Sequence, residues 1–323
     1  MNSVTKNQQS KDNLLKIVET AFGTKVSLLS YQEYTEGFCN VTYRLDLSDG
    51  KSVVLKIAPA PGIEMMSCEI ELMRTEVEAM KLAAERGVER VPQIYYYDNS
   101  RSICNGEYFI MELLEGKNYA EIKAKLSENE QAETDEKIGA WIHRLNEIRG
   151  KRFGHFCVEE LQGADWFTTF YDMMRKVIDD GVKKGVDLLI EPQIYLEYLQ
   201  RDKAYFQEVT EPRFIHFDSW DGNVFIKDGE VVGLIDWERA LWADPLLEDG
   251  FRFHNINPHF LRGYGKETLT KEEKRRCQWY DVYLYLIMMN EGTFRHYETD
   301  DHYRWTSSQL KQVWEKNWYQ LTN

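Results

Sequence analysis

The sequence predicts an α+β protein of two lobes, a small lobe rich in β-strands followed by a larger and mainly helical lobe. Three observations lead to this prediction. Short apolar runs of strand length occupy much of the first third of the chain. From about residue 118 onward, apolar residues recur mostly at helical spacing, with one short β segment at 213–235. The length of 323 residues is enough for two hydrophobic cores.

The first lobe should begin with a helix whose apolar positions are Leu14, Leu15, Val18 and Phe22. This helix should end at Gly23, because glycine is the commonest residue just past a helix C-terminus. Further along, a turn-forming stretch joins the apolar runs at 41–47 and 52–57 and predicts a hairpin. The remaining elements predicted for this lobe are strands at 26–34, 41–47, 52–57, 94–97 and 108–113 and a helix at 67–86.

The character of the sequence changes near residue 116. We expect an N-terminal lobe at 1–116, a hinge at about 112–117 and a C-terminal lobe at 117–323. The helices predicted for the C-terminal lobe lie at 131–149, 165–183 and 191–208, and further helical patterns run from about 244 to the end.

Charge and composition limit the partners of the protein. The formal net charge of −14 argues against a nucleic-acid backbone as the main partner. The longest apolar run, 283–289, is too short to cross a membrane, and the polar stretch 1–11 lacks the apolar core of a signal peptide. Five scattered cysteines fit reduced thiols in the cytoplasm. Whether the protein is a monomer or a homodimer stays open.

The residues at 214–226 form the most informative stretch of the chain. An apolar strand enters a polar loop and another apolar strand leaves it, and the loop holds Asp218 and Asn223 with four residues between them. A following hairpin returns Asp236 beside this loop. A carboxylate facing a substrate hydroxyl, with an amide oxygen and a second carboxylate facing Mg²⁺, is what phosphoryl transfer needs. His216 should fix the loop backbone by hydrogen bonds rather than act as the base.

These residues resemble the catalytic segment of the aminoglycoside phosphotransferase and choline-kinase-like superfamily. The family pattern is His-Gly-Asp, four residues, Asn and then Ile-Asp-Trp. Phe217 stands where the family usually has glycine. The resemblance implies a bilobal protein-kinase-like fold and a small-molecule kinase that uses Mg²⁺ with ATP or GTP. The residues that carry it are His216, Asp218, Asn223, Ile235, Asp236 and Trp237, followed by Asp244 and Pro245.

The resemblance also implies groups for the nucleotide phosphates in the first lobe. Gly37 and Asn40 lie in a loop similar to the family's nucleotide loop, where glycine lets the backbone approach phosphates. Lys56 lies inside an apolar strand and should bind phosphate, although an edge-strand lysine reaching water is the alternative. Its partner should be Glu76, which shares the apolar face of the next helix, with Glu69 as the second choice.

The stretch 108–116 resembles the strand that enters the hinge of such kinases. The resemblance implies that the backbone carbonyl of Glu112 and the backbone amide of Leu114 read the purine, and that Met111 lines the nucleotide pocket. A methionine in such a run is otherwise an ordinary core residue.

The acceptor should be a hydroxyl on a small molecule, amine-bearing by analogy with the family. Trp220, Glu238, Asp249 and Glu291 are the predicted contacts, with packing for the tryptophan and solvent exposure for the acids as alternatives. Two other functions compete. A protein kinase is disfavoured because no activation segment ending in Ala-Pro-Glu is present. A nucleotide-binding pseudokinase is disfavoured because the lysine, the base and both metal ligands are present.

Overall fold

The computed structural model describes residues 6–35 and 40–319. Its N-terminal part is one antiparallel five-stranded sheet with strand order β1-β2-β3-β5-β4 and two helices. The elements of this part are α1 (Lys11–Phe22), β1 (Leu28–Tyr34), β2 (Val41–Leu47), β3 (Ser52–Ile57), α2 (Leu72–Glu85), β4 (Ile94–Asp98) and β5 (Tyr108–Glu112).

The C-terminal part is mainly helical and contains two small sheets, ordered β11-β10-β6 and β8-β7-β12-β9. Its first elements are β6 (Lys117–Asn118), α3 (Tyr119–Ile122), α4 (Glu128–Asn146), β7 (Phe153–His155), β8 (Gln162–Gly163), α5 (Trp166–Lys184) and α6 (Pro192–Arg201). The elements that follow are β9 (Arg213–Ile215), β10 (Val224–Lys227), β11 (Glu230–Leu234), β12 (Leu241–Ala243), α7 (Pro258–Gly263), α8 (Lys271–Phe294) and α9 (Asp301–Asn317).

The predicted α+β class with a sheet-rich first part and a helical second part is therefore confirmed. β5 ends at Glu112 and β6 begins at Lys117, so the stretch between them is the short connection where the hinge is predicted. No helix among the described residues is both long and apolar enough to cross a membrane.

The two faces of the N-terminal sheet contact different partners, and β3 shows why. Successive strand residues point to opposite faces. Val53, Leu55 and Ile57 join a core cluster that includes residues of α1. Val54 joins the larger cluster, which contains α2 and most of the C-terminal part. Lys56, two residues after Val54, points the same way and therefore reaches α2 and the C-terminal part.

Helix α1 ends at Gly23 as the sequence predicts. Its buried positions are Leu14, Ile17 and Val18, whereas Leu15, which the apolar pattern includes, is 38% exposed. Positions i, i+3 and i+4 share one face of a helix, and that face here runs through Ile17.

Helix α2 begins at Leu72, later than the predicted start at residue 67. The preceding residues, which we call the β3–α2 link (58–71), reach over to the C-terminal part. The backbone N–H of Ser67 donates to Asp180 on α5 at 2.7 Å, and the side chain of Glu69 contacts Arg295 just beyond α8. These long-range contacts hold the link in a non-helical course.

Two other predicted helices are interrupted. The helix expected at 191–208 ends at Arg201, because the carboxylate of Asp202 accepts hydrogen bonds from Arg275 and Trp279 of α8 at 2.7 and 2.9 Å. The helical pattern expected from 244 begins instead with short 3₁₀ turns, Pro245–Leu247 and Asp249–Phe251, before α7.

Candidate active site

Asp218 and Asn223 lie on the loop between β9 and β10, and their side chains contact each other. The amide nitrogen of Asn223 donates to the backbone carbonyl of Asp218 at 2.8 Å and to its carboxylate at 3.2 Å. The backbone carbonyl of Asn223 accepts from the N–H of Ile235 at 3.0 Å. That bond sets the end of β11 beside the loop, so that Asp236 follows directly.

Lys56 joins the two parts of the molecule at this point. Its Nζ lies 2.7 Å from the Glu76 carboxylate on α2 and 2.6 Å from Oδ1 of Asp236. Burial alone would lower the pKa of Lys56, but Asp236 and Glu76 raise it well above its ordinary value, so the ammonium stays charged. Glu69, the second choice as its partner, contacts arginines instead.

Asp218 lies in a crowded electrostatic environment. Burial raises the pKa of its carboxyl to about 7. Arg239 acts against this rise, whereas Asp236, Asp249 and Glu291 add to it. A carboxylate with a pKa near neutrality is suited to accept a proton from a hydroxyl.

The loop backbone is held by Glu248, a fully buried carboxylate. Its two oxygens accept from the N–H of His216 at 2.7 Å, the N–H of Phe217 at 3.1 Å and the hydroxyl of Ser219 at 3.0 Å. Burial raises the pKa of Glu248, and these donors act against the rise. The anchor of the loop that carries Asp218 is thus a carboxylate 30 residues further along the chain.

The imidazole of His216, predicted to fix the loop by hydrogen bonds, makes at most one weak bond of this kind. Neither ring nitrogen has a partner at full hydrogen-bond geometry among the described residues, although the backbone of Ile235 interacts with the ring and acts on its pKa. The ring packs edge-on against Trp237 with centroids 4.8 Å apart, and burial lowers its pKa to about 3. His216 contributes a neutral ring to packing, and its backbone N–H makes the bond to Glu248.

Asn146, at the end of α4, extends the anchor. Its amide nitrogen donates to the backbone carbonyl of Phe214 at 2.8 Å and to Glu248 at 3.1 Å, and its oxygen accepts from the hydroxyl of Tyr264 at 2.8 Å. Asn146 therefore connects α4, the strand entering the loop and Tyr264 in one buried network.

The residues predicted to bind Mg²⁺ have suitable chemistry. Asp236 offers a carboxylate whose side chain is 39% exposed, although Lys56 contacts one oxygen, and Asn223 offers an amide oxygen. Mg²⁺ is commonly held by one or two protein oxygens together with substrate phosphates and water. No group of three His, Cys, Asp or Glu side chains able to hold a metal occurs within 6–35 and 40–319. This donor set therefore fits a metal whose other ligands come from the nucleotide.

The residues predicted around the nucleotide are distributed as follows. Gly37 lies outside the described residues. Asn40 donates through its amide to Glu238 at 2.6 Å. Met111 is buried and pairs in register with Val54.

At the hinge, the side chain of Glu112 is exposed, and its backbone N–H donates to the carbonyl of Gln93 at 2.8 Å. Leu114 packs so closely on β11 that a Cβ added at Gly233 would lie 2.6 Å from its side chain. The purine-reading roles of Glu112 and Leu114 remain predictions.

The four predicted acceptor contacts have different surroundings. Glu238 accepts a hydrogen bond from Asn40 and lies 3.8 Å from Lys56. Trp220 is 47% exposed beside the catalytic loop. Asp249 is buried and accepts from Asn255 at 2.6 Å.

Glu291 lies in a buried ion network with two arginines. Its carboxylate is 2.5 Å from Arg239 and 3.5 Å from Arg295, and His302 lies 3.4 Å away. Arg295 also lies 2.5 Å from Glu69 of the β3–α2 link. Burial would raise the pKa of Glu291, but the arginines lower it strongly, so this carboxylate is already compensated by protein groups.

Sequence reasoning missed Glu248, Arg239 and the role of Glu69. Glu248 did carry a signal, because it is an acidic residue between the apolar positions Leu247 and Phe251 and so needs buried partners. No sequence pattern predicts the pairing of Arg239 with Glu69, since these residues come together only when α2 and the C-terminal part pack.

Comparisons with known proteins identify the family and the fold of the chain. The chain matches the phosphotransferase enzyme family over residues 30–280. No match is found among curated proteins.

Solved structures share the fold. A thermostable mutant of aminoglycoside phosphotransferase APH(4)-Ia, bound to AMP-PNP and hygromycin B, has a TM-score of 0.64 at 14% identity, covering 93% of this chain and 97% of that chain. The ternary complex of streptomycin, ATP and APH(2")-IIa has a TM-score of 0.62 at 15% identity, covering 94% and 97%. A Thermobifida fusca YX-ER1 protein proposed to be a fructosamine-3-kinase has a TM-score of 0.65 at 15% identity, covering 94% and 99%. The chain therefore belongs to the phosphotransferase enzyme family and is a small-molecule kinase, as its resemblance to the aminoglycoside phosphotransferase and choline-kinase-like superfamily implies.

Proposed function

We propose that the protein transfers the γ-phosphoryl group of ATP, bound with Mg²⁺, to a hydroxyl group of a small molecule. The observation that carries this proposal is the convergence of three contacts. Lys56 contacts both Glu76 and Asp236, and Asn223 contacts Asp218. Phosphoryl transfer depends on such simultaneous positioning of a phosphate-binding lysine, metal ligands and a base.

Each residue has a defined role in this proposal. Asp218 orients the acceptor hydroxyl and accepts its proton while the new O–P bond forms and the bond to the ADP oxygen breaks. Lys56 binds nucleotide phosphates, and Glu76 holds the ammonium in place. Asn223 and Asp236 would hold Mg²⁺, which neutralises charge on the phosphates when bound. The side chain of Met111 and the backbone of Glu112 and Leu114 would contact the purine.

ATP is the proposed donor because two structures similar in fold contain ATP or its analogue AMP-PNP. GTP is the alternative, and it is distinguished by measuring release of ADP and of GDP in parallel. The same structures contain hygromycin B and streptomycin, which supports an amine-bearing alcohol as the acceptor class. The buried carboxylate of Asp249, close enough to Asp218 to raise its pKa, adds negative charge that favours a cationic acceptor.

The proposal is tested by a screen for acceptor-dependent ADP and GDP release with aminoglycosides, choline, amino alcohols and sugars. We expect an acceptor to raise nucleotide turnover in the wild-type protein. Asp218→Asn should lower that turnover by at least about a hundredfold while AMP-PNP still binds, because general-base catalysis contributes roughly this much. Full turnover by the purified Asp218→Asn variant would refute the role of Asp218. Nucleotide binding without turnover of any acceptor would favour a pseudokinase.

A further inference from the structure

A cavity of about 230 Å³ is lined by residues outside the loop that carries Asp218, and we call it the rear cavity. It contains none of the residues assigned to the nucleotide, the metal or the acceptor. Its walls come from the connection between α2 and β4, from α4 and from β11. The residues that define it are Glu89, Arg90, Lys137, Trp141, Arg144 and Glu230.

Positive charge exceeds negative charge in the rear cavity. Lys137 and Arg90 share one carboxylate, since Glu230 lies 2.7 Å from the first and 3.6 Å from the second. The side chain of Arg144 makes no hydrogen bond or ion pair with any residue inside the described ranges 6–35 and 40–319. With Glu89 as the other acid, three cations face two anions.

The walls of the rear cavity are fixed by the backbone. Arg90 adopts a left-handed conformation with φ of 63°, which is unfavourable for a residue with a side chain. Its guanidinium donates to the backbone carbonyl of Val231 on β11. The indole N–H of Trp141 donates to the carbonyl of Glu89 at 2.9 Å. These bonds hold the cavity open between the two parts of the molecule.

The three cations converge from two directions. Arg90 belongs to the N-terminal part, whereas Lys137 and Arg144 are two turns apart on α4, and so on the same side of that helix. A ligand that contacts all three therefore bridges both parts of the molecule.

We propose that the rear cavity binds a phosphate group, either of free phosphate or of a phosphate monoester. Arginine and lysine side chains donate charge-assisted hydrogen bonds that match phosphate oxygens. The cavity is smaller than those that enclose drug-sized ligands, so the ligand is a small one. A bound phosphate would contact Arg144 first, since this guanidinium has no protein partner to exchange.

Isothermal titration calorimetry tests the proposal with two probes, inorganic phosphate and glycerol 2-phosphate. Each is titrated into the full-length protein with and without saturating AMP-PNP and Mg²⁺, which occupy the phosphate-binding groups of the nucleotide site. We expect binding of at least one probe to persist in the presence of AMP-PNP. The probe that binds more tightly then identifies free phosphate or a phosphate monoester as the source.

Arg144→Gln should weaken that binding at least about tenfold, the factor that corresponds to one lost charge-assisted hydrogen bond. Lys137→Gln should weaken it similarly. The matched control is Arg86→Gln, an exposed arginine at the end of α2 outside the cavity, which should bind like the wild type. The proposal is overturned if neither probe binds in the presence of AMP-PNP, or if Arg144→Gln binds as tightly as Arg86→Gln. Neither measurement requires turnover, so the result is independent of the proposed kinase activity.

Discussion

At the scale of single residues, Glu248 holds the loop that carries Asp218 and Asn223. One buried carboxylate accepts from two consecutive backbone N–H groups, from the hydroxyl of Ser219 and from the amide of Asn146. Buried polar groups are costly when they lose their partners. The position of Asp218 therefore depends on Glu248, which lies 30 residues further along the chain.

We predict that Glu248→Gln distorts this loop. A glutamine presents an NH₂ group toward backbone N–H donors, so at least one donor loses its acceptor. The free energy of unfolding should fall by about 2 kcal/mol, and acceptor-dependent turnover should fall about ten- to a hundredfold. Urea unfolding and ADP release measure the two effects. Glu197→Gln, an exposed change on α6, serves as the control and should alter neither quantity.

Asp281 on α8 should make stability depend on pH. Burial raises the pKa of its carboxyl to about 7, and Arg252 opposes the rise. Between about pH 4 and pH 7, the carboxyl of Asp281 is therefore protonated in the folded protein and ionised in the unfolded chain. Stability contributed by this proton is present below pH 4 and is lost as the pH rises through 7.

We predict that Asp281→Asn removes this loss, because asparagine imitates the neutral carboxyl. Relative to the wild type, the variant should gain about 3 kcal/mol of unfolding free energy between pH 4 and pH 8. Urea unfolding at several pH values measures the difference. A constant difference across this range would show that Asp281 titrates normally.

The proximity of Asp218, Asn223 and Asp236 could be predicted because these residues are close in sequence. Asp218 and Asn223 share one loop, and a two-stranded hairpin returns Asp236 to it, so spacing alone brings them together. Contacts such as that of Glu248 with His216 depend on how the 3₁₀ turns after β12 pack under the loop. No local pattern in the sequence predicts that packing. The sequence therefore led us to expect that His216 fixes the loop backbone, whereas Glu248 accepts the hydrogen bonds that do so.

At the scale of elements, the β3–α2 link determines how α2 sits on the C-terminal part. Glu69 extends from this link to Arg239 and Arg295 at 3.4 and 2.5 Å, and Glu291 contacts the same two arginines. Helix α2, which carries Glu76, starts just after the link. The buried network thus connects the helix that holds Lys56 to the turn that follows Asp236.

We predict that Glu69→Gln destabilises the protein by about 3 kcal/mol, because both arginines then lose part of their buried compensation. Turnover should fall as well, since Glu76 is no longer held against Lys56. The control is Glu64→Gln in the same link. Glu64 pairs with Lys183 and Lys184 at the surface, and its loss should leave stability close to that of the wild type. Equal effects of the two changes would contradict a special role for the buried network.

The bounds of the hairpin strands were predicted better than the start of α2. The bounds of β2 and β3 agree with the apolar runs at 41–47 and 52–57, because alternation and a turn define a hairpin locally. The start of α2 was predicted five residues early. The β3–α2 link has apolar residues at helical spacing, but it contacts the C-terminal part instead of continuing the helix. Only the packed structure shows those contacts.

At the scale of the whole molecule, Lys56 lies where the two parts meet, since it contacts Glu76 on α2 and Asp236 just after β11. A nucleotide that binds between them should therefore stabilise both. We predict that saturating AMP-PNP with Mg²⁺ raises the free energy of unfolding by about 2.7 kcal/mol at a ligand concentration one hundred times the Kd. Removal of the metal with EDTA should abolish most of this gain. Thermal unfolding followed by fluorescence measures it.

The same experiment separates the predicted metal ligands from general packing. Asp236→Asn should lose the Mg²⁺-dependent part of the stabilisation, because its amide binds the ion more weakly than a carboxylate. Asp228→Asn, a change in the exposed turn between β10 and β11, is the matched control and should respond to Mg²⁺ like the wild type. If Asp236→Asn keeps the full response to Mg²⁺, another group holds the metal.

The backbone of Phe217 has a consequence for how such proteins are recognised. Its φ of 73° is a conformation that glycine adopts easily and that phenylalanine adopts at a cost of about 1–2 kcal/mol. The bond from its N–H to Glu248 and the packing of its ring near Tyr283 keep it there. Because neighbours impose the bend, glycine is dispensable at this position. A search pattern that requires it would pass over this chain, whereas one built on Asp218, Asn223, Asp236 and the distant anchor Glu248 would find it.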